Sequence, residues 1–325
     1  MTTSEVIVRW GLGELSGLLH ELGVERPFLI ASERWSQLSL PAAGRWRVVP
    51  TDQIAEVAEA ARGCDGLLVV GGGSAIDVAK AVSVATRLRI VSVPTTYSGA
   101  ECTRSFGIKG PGRIAKGGGY DALVAAIVYE TALTLHLPPS ETGGTALNAL
   151  AHCAEALYAA GRNPSGDRYA LAGARSIGAC LPLVLSDGHD PVARKGLLEG
   201  AMLGGLALEA AGSGLAHAMA QAVGGKYGIS HGALNALCLP VALRFNSVVT
   251  GAEIERFAEA LEVSDAPERC ETLARLAGHR RLRDLGVPSQ DLPSLAELAA
   301  MRPGAVANPR PASPAQILEL LRRIW

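Results

Sequence analysis

The chain has 325 residues, 48% of them hydrophobic and 19% charged, a balance that excludes long disordered stretches and a length that calls for two domains. Its 30 basic and 31 acidic side chains leave a net charge of -1, and only 4% of residues are aromatic. With neither a field to attract a polyanion or lipid surface nor platforms to stack bases, nucleic acid and membrane are not expected partners.

Over the first 140 residues, short β-branched runs alternate with helical stretches, which predicts an α/β domain with a parallel sheet. VIVRWG at 6–11 and PFLIAS at 27–32 read as strands on either side of a helix carrying Leu15, Leu18, Leu19 and Leu22. WRVVP at 46–50 reads as a third strand, followed by a helix through Ile54, Val57, Ala60 and Ala61 and by the buried strand GLLVVG at 66–71. A helix over 74–87 then leads to the strand RIVSVP at 89–94. Beyond residue 140 apolar residues recur at helical spacing, which predicts a second, all-α domain, with the boundary near Pro138-Pro139 and the domains at 1–139 and 140–325. Helices are predicted at 143–160, 167–184, 191–209, 213–223, 231–247, 252–263, 290–301 and 314–324. RPGAVANPRPAS at 302–313 is expected to cross the surface as extended chain.

The cysteines, Cys64, Cys102, Cys153, Cys180, Cys238 and Cys270, form no CxxC pair and suggest buried free thiols in a reducing compartment. MTTSEVIVRW has no cationic region followed by an apolar core, and no uncharged run reaches about 18 residues. A cytoplasmic protein without a membrane span is the expectation.

Gly71, Gly72, Gly73 and Ser74 stand between a buried strand and a helix start, where backbone N–H groups and the helix dipole favour an anion. Asp77 in the first turn complements that dipole or caps the loop. The alternative is a tight turn that needs only the glycines' conformational freedom. The motif is not GxGxxG, so the ordinary dinucleotide fingerprint does not apply. VPTTYSGAECT at 93–103 brings Thr95, Thr96, Tyr97, Ser98, Glu101 and Thr103 to the same carboxyl edge, where hydroxyls can hold phosphate or a nicotinamide carboxamide. The alternative there is a simple polar turn. Glu33, after the strand 27–32, suits an adenosine ribose and favours NAD over NADP, or else is an exposed helix-start glutamate.

In the helical half, Asn148, His152 and Glu155 share one helix face at i, i+4 and i+7, and His217 and Gln221 share another at i and i+4. His231 opens a third helix, with Ser230 as candidate cap. Three imidazoles converging from three helices suit Fe2+ or Zn2+ with a position open for substrate. The alternative for each is a hydrogen-bonded core or cleft histidine, the reading given to His20, His136, His189 and His279.

GGGSAIDVAKA at 71–81, VPTTYSGAECT at 93–103, VYETALTLHLP at 128–138, LNALAHCAEALYA at 147–159, NP at 163–164, GGKYGISHGALNALCLP at 224–240 and NPRPASPAQILELL at 308–321 together resemble the iron-containing alcohol dehydrogenase superfamily, and within it the maleylacetate reductases. That resemblance implies a dehydroquinate synthase-like dinucleotide domain, a helical domain, hydride transfer in the cleft between them, and a homodimer. It implies NADH or NADPH as cofactor and reduction of the carbon–carbon double bond of maleylacetate; Arg113 is read, apart from the resemblance, as a contact of either that cofactor or a substrate carboxylate. Metal-dependent relatives carry an Asp and three His as ligands, and the matching positions here are Asn148, His152, His217 and His231. The reductases also have Asn at the first position, which implies histidines acting on substrate directly, without a tightly held metal.

Gln221 stands where relatives usually carry a further His, Val241 where the reductases tend to have His, and Arg244 where they are usually apolar. The leading expectation is an NAD(P)H-dependent reductase of a small enone or carbonyl acid. His152, His217 or His231 would serve the developing enolate, and Arg104, Arg113 or Lys116 would hold a substrate carboxylate. A metal-dependent alcohol dehydrogenase and a non-redox or non-catalytic descendant of the fold are the alternatives.

Overall fold

The computed structural model describes residues 6–110, 113–117, 122 and 124–325, with the backbone alone for 109–110 and 113–117. The chain as far as Thr96 and again over Ala100–Thr134 forms one compact unit; Tyr97–Gly99 and Leu135–Trp325 form a second. The division therefore falls at Thr134/Leu135, ahead of the expected 139/140, and the short stretch 97–99 goes with the helices.

The first unit contains β1 (Ile7–Trp10), α1 (Leu15–Glu21), β2 (Pro27–Ala31), β3 (Gly44–Trp46), α2 (Ile54–Ala60), β4 (Gly66–Gly71), α3 (Gly73–Thr86), β5 (Arg89–Pro94), β6 (Phe106–Gly110), β7 (Arg113–Gly117) and β8 (Val124–Tyr129). Six strands make a parallel sheet in the order β1-β8-β5-β4-β2-β3, while β6 and β7 pair antiparallel by themselves. Leu67 to Val70 are wholly buried, which is why β4 reads as an unbroken apolar run: a parallel strand is covered on both faces. Leu15, Leu18 and Leu19 of α1 pack against Leu29, Leu68, Val91, Ala126 and Val128, so the helical i, i+3, i+4 stripe meets every second residue of the strands.

Three departures from the expected elements have local causes. The third strand is Gly44–Trp46, where the expectation was 46–50; its ladder opposite Phe28–Ile30 ends at Trp46, and Pro50 has no N–H to extend it. β8 and the β6–β7 pair were not foreseen. Val124–Tyr129 is diluted by alanines, and the Gly-rich text of the pair hides its alternation.

The second unit contains α4 (Pro139–Ala156), α5 (Pro164–Ser186), α6 (Pro191–Ala211), α7 (Leu215–Tyr227), α8 (His231–Asn246), α9 (Gly251–Ala260), α10 (Ala266–Leu276), α11 (Leu292–Ala300), α12 (Pro303–Val306) and α13 (Pro314–Arg323). Its helices α4, α5 and α6 open with proline in the first turn, where no hydrogen bond is lost. α10 was not foreseen; its buried stripe is Ala266, Cys270, Leu273 and Ala274, small residues in charged text, and Asp265 caps it by accepting from the Glu268 N–H. The segment 302–313 is not a surface strand either. It holds α12, and Asn308 is buried against Asn246 through paired amide bonds of 2.9 and 2.7 Å.

By length and composition alone α5 could cross a membrane, but its Gly166 and Gly173 lie against α6. A Cβ on Gly173 would stand 3.1 Å from the Gly200 carbonyl oxygen, and one on Gly200 3.1 Å from the Ile177 nitrogen, so the two backbones touch where side chains are absent.

Candidate active site

Gly71 is level with Pro94 in the ladder, and the Thr95 N–H donates to the Gly71 carbonyl at 3.0 Å, so the glycine loop and the threonine loop are neighbours at the carboxyl edge of the sheet. Neither Gly71 nor Gly72 has a positive φ. What they supply is close approach: a Cβ on Gly71 would lie 2.6 Å from Ala75 Cβ, and one on Gly72 2.8 Å from Thr96 Cγ2. Thr96 Oγ1, beside Gly72, is buried without a hydrogen-bond partner. Gly72 opens α3 with no side-chain cap, and Ser74 lies exposed in its first turn. A close-packed glycine turn, an orphaned hydroxyl and helix N–H groups without a side-chain cap fit a dinucleotide phosphate.

Other residues expected at the cofactor have partners within the protein. Asp77 accepts from the Gly107 N–H at 3.0 Å and lies 3.9 Å from the wholly buried Lys80, so it ties β6 to α3; burial raises its pKa against the pull of Lys80. Thr103 is a support for that lysine, whose ammonium donates to Thr103 Oγ1 at 2.9 Å, the Ala100 carbonyl at 2.6 Å and the Ser105 carbonyl at 2.9 Å. Glu33 is exposed at the start of a short 3-10 turn and pairs with Arg47 at 3.0 Å. Arg104 is half-buried. The side chains of Arg113 and Lys116 lie outside the described residues, although their backbone is β7.

In the helical unit the three histidines do come together. His152 of α4 stacks on His217 of α7 with ring centroids 4.8 Å apart and an interplanar angle of 20°, and His231 of α8 tilts against His217 at 5.4 Å. A chain of amides orients them. Asn148 Nδ2 donates to the Ser98 carbonyl at 3.2 Å and faces His152 Nε2 at 3.3 Å. Asn235 Nδ2 donates to Asn148 Oδ1 at 2.7 Å and faces His231 Nε2 at 3.0 Å. Amide nitrogens only donate, so both Nε2 atoms accept, and His152 keeps its proton on Nδ1, which is buried without a partner. Burial, reinforced by His217 and His231, holds His152 well below the usual imidazole range, so it is neutral. His217 is held from the other side: its Nδ1 lies 2.5 Å from Glu155 Oε2, and its Nε2 is buried and unpartnered.

Gln221 follows His217 by one turn of α7 and is half-buried. Ser230 occupies the N-cap position of α8, but its side chain makes no capping bond, a correction to the expected role. Sequence reasoning passed over Asn235, although its i+4 spacing from His231 was there to be read. It also passed over Arg194, almost fully buried, which donates to Tyr97 Oη at 3.0 Å and to the Gly188 carbonyl at 2.6 Å beside the loop whose Ser98 meets Asn148.

Asn148 Oδ1, His152 Nε2 and His231 Nε2 thus each point a lone pair at an amide hydrogen. The set contains no carboxylate, and among the described residues no group of three or more His, Cys, Asp or Glu is placed to hold a metal. As arranged, Asn148, His152, His217 and His231 do not fit a tightly held Fe2+ or Zn2+.

Comparison with known proteins agrees with the two units. Residues 142–325 match the family model "Fe-containing alcohol dehydrogenase family, C-terminal", and residues 47–129 match "Iron-containing alcohol dehydrogenase". A maleylacetate reductase of Burkholderia cepacia is 38% identical over 269 residues, covering 82% of this chain and 76% of its own. One from Rhizobium sp. (strain MTP-10005) is 31% identical over 341 residues, covering 100% and 97%. The crystal structure of maleylacetate reductase from Agrobacterium tumefaciens matches with a TM-score of 0.91 at 30% identity, covering 100% of this chain and 97% of that one. That of an iron-containing alcohol dehydrogenase from Corynebacterium glutamicum matches with a TM-score of 0.91 at 29% identity, covering 99% and 95%. Matched in both of its units, and over most of the length of its relatives, the chain belongs to the iron-containing alcohol dehydrogenase family of oxidoreductases.

Proposed function

We propose that the protein is an NAD(P)H-dependent reductase of a small enone or carbonyl acid, of the maleylacetate reductase kind. The observation that carries this reading is the amide-locked histidine cluster, which leaves one N–H donor and one lone pair open, His152 Nδ1 and His217 Nε2, with no set of lone pairs for a cation. The maleylacetate reductases that cover most of the chain support it.

The residues divide the work as follows. Gly71 to Ser74 and Thr96 hold the dinucleotide by its phosphates, with Thr95 and Ser98 shaping the adjoining loop. A reduced nicotinamide held there would supply hydride to the carbon–carbon double bond conjugated with the ketone. Charge then develops on the carbonyl oxygen, and the neutral His152 offers it the Nδ1 proton as a hydrogen-bond donor in a buried setting. His217, its Nδ1–H held by Glu155, takes up a proton from solvent at the bare Nε2 and passes it to the α-carbon, which returns Nε2 to its lone-pair form. Gln221 cannot shuttle a proton, so that duty rests on the histidines.

Glu33, read as facing the adenosine ribose, is paired with Arg47, a cation that would suit a 2′-phosphate, so both NADH and NADPH belong in the assay. A homodimer in the cytoplasm, with its six cysteines free, completes the reading. The test is a screen of carbonyl acids, maleylacetate included, followed by NADH or NADPH absorbance with iron or zinc added and withheld, together with elemental analysis of protein purified without chelator. Turnover in the absence of stoichiometric metal is expected. Turnover of simple alcohols dependent on added iron would move the assignment to a metal-dependent alcohol dehydrogenase, and absence of any dinucleotide binding would end the reductase reading.

A further inference from the structure

The carboxylate that backs His217 is buried and comes from a different helix. Glu155 is 0% exposed, on α4 one turn beyond His152, and its hydrogen bonds all run to the start of α7. Oε2 accepts from the Gly214 N–H at 2.8 Å, Oε1 accepts from the Ala216 N–H at 2.7 Å, and Oε2 lies 2.5 Å from His217 Nδ1.

Capping alone does not call for this arrangement. The orphan N–H groups of a helix start are ordinarily met by a Ser, Thr, Asp or Asn at the N-cap itself, whereas the N-cap of α7 is Gly214, which has no side chain. Here the acceptor comes from another helix, 59 positions earlier in the chain, and Asn308 adds a second by accepting from the Leu215 N–H at 3.3 Å. A local cap would satisfy the same N–H groups but could not reach the imidazole. A carboxylate held rigidly by backbone donors can only accept, so it fixes the proton of His217 on Nδ1. The ring, gripped at Nδ1 and stacked on His152, then has a single open nitrogen, Nε2.

We infer that Glu155 is a positioning residue, which sets the ring orientation and the Nδ1-protonated tautomer of His217 so that Nε2 is the atom offered to substrate. Its kinetic consequence rests on the proposed reductase activity; its structural content does not.

The test uses the full-length protein labelled with 15N at histidine, His217 being assigned by its loss in His217→Asn. In the wild type, His217 shows a protonated Nδ1 and a bare Nε2; a proton on Nε2 with Nδ1 bare overturns the inference. Glu155→Gln keeps the size and one acceptor oxygen, and Glu155→Asp keeps the charge. With circular dichroism showing folded protein, Glu155→Gln lowers kcat about ten- to hundredfold and leaves the dinucleotide KM within about twofold, while Glu155→Asp recovers part of the loss. A folded Glu155→Gln protein with wild-type kcat overturns the inference, since a purely structural cap would change stability and not turnover. If Glu155→Gln does not fold, the wild-type spectrum decides. If the wild type reduces no carbonyl acid, the reductase reading fails and the spectrum again decides the role of Glu155.

Discussion

Replacing Asn235 with alanine tests whether the amide chain orders the site. Asn235 is wholly buried, and its Nδ2 meets Asn148 Oδ1 at 2.7 Å and His231 Nε2 at 3.0 Å. Each bond is worth about 1 kcal/mol net, and the Asn148 oxygen, in a residue only 6% exposed, would be left without a donor, which itself costs about 1–3 kcal/mol. His231 is half-buried and can turn its Nε2 to water, so little is added on that side. Asn235 Oδ1 has no partner in the native protein, and its removal returns part of the cost. The expected outcome is a loss of about 2–3 kcal/mol in urea unfolding followed by the helical circular dichroism signal, with carbonyl-acid turnover falling alongside. A loss below about 0.5 kcal/mol with unchanged turnover would refute the reasoning, because Asn148 would then have found its donor elsewhere.

Gly72→Val would drive a branched side chain onto Thr96, whose atoms already stand 2.8 to 3.5 Å from where a Cβ would sit; NADH affinity, read by fluorescence titration, should weaken about tenfold or more, about 1.4 kcal/mol, and undiminished binding would remove the cradle from the account. Burial holds His279 below the usual imidazole range, against the opposing pull of its hydrogen bond to the Ser140 carbonyl and of Glu141. Its neutral form therefore stabilises the fold fully above about pH 6.5, and this contribution is lost as pH falls below that value. The drop in urea midpoint between pH 7 and pH 5 should be smaller in His279→Gln, and an unchanged drop would contradict the assignment. Burial pushes the Cys153 and Cys270 thiols up to about 12, and Cys102 and Cys238 are likewise buried. An aromatic disulfide reagent at pH 8 should label Cys64 and Cys180 in the native protein and the other four on unfolding; fast native labelling of any of those four would be the contrary result.

The apolar runs of β4 and β5, the glycines between β4 and α3, and the histidine faces of α4 and α7 were all legible in the sequence, because each depends on spacing along one element. Composition hid the rest of the fold: alanines thinned β8, glycines masked the β6–β7 pair, and small residues concealed the stripe of α10. Helical periodicity put Asn148, His152 and Glu155 on one face, yet it is silent on which lone pair meets which hydrogen. Asn148 finds Asn235 at 87 positions' distance and Glu155 finds His217 at 62, across helices that only folding brings side by side. Those pairings turn a set of residue types that could have bound a cation into one whose lone pairs are mostly spent on amides. A hydrogen bond's direction is decided by the packing of helices, and spacing along the chain does not carry it.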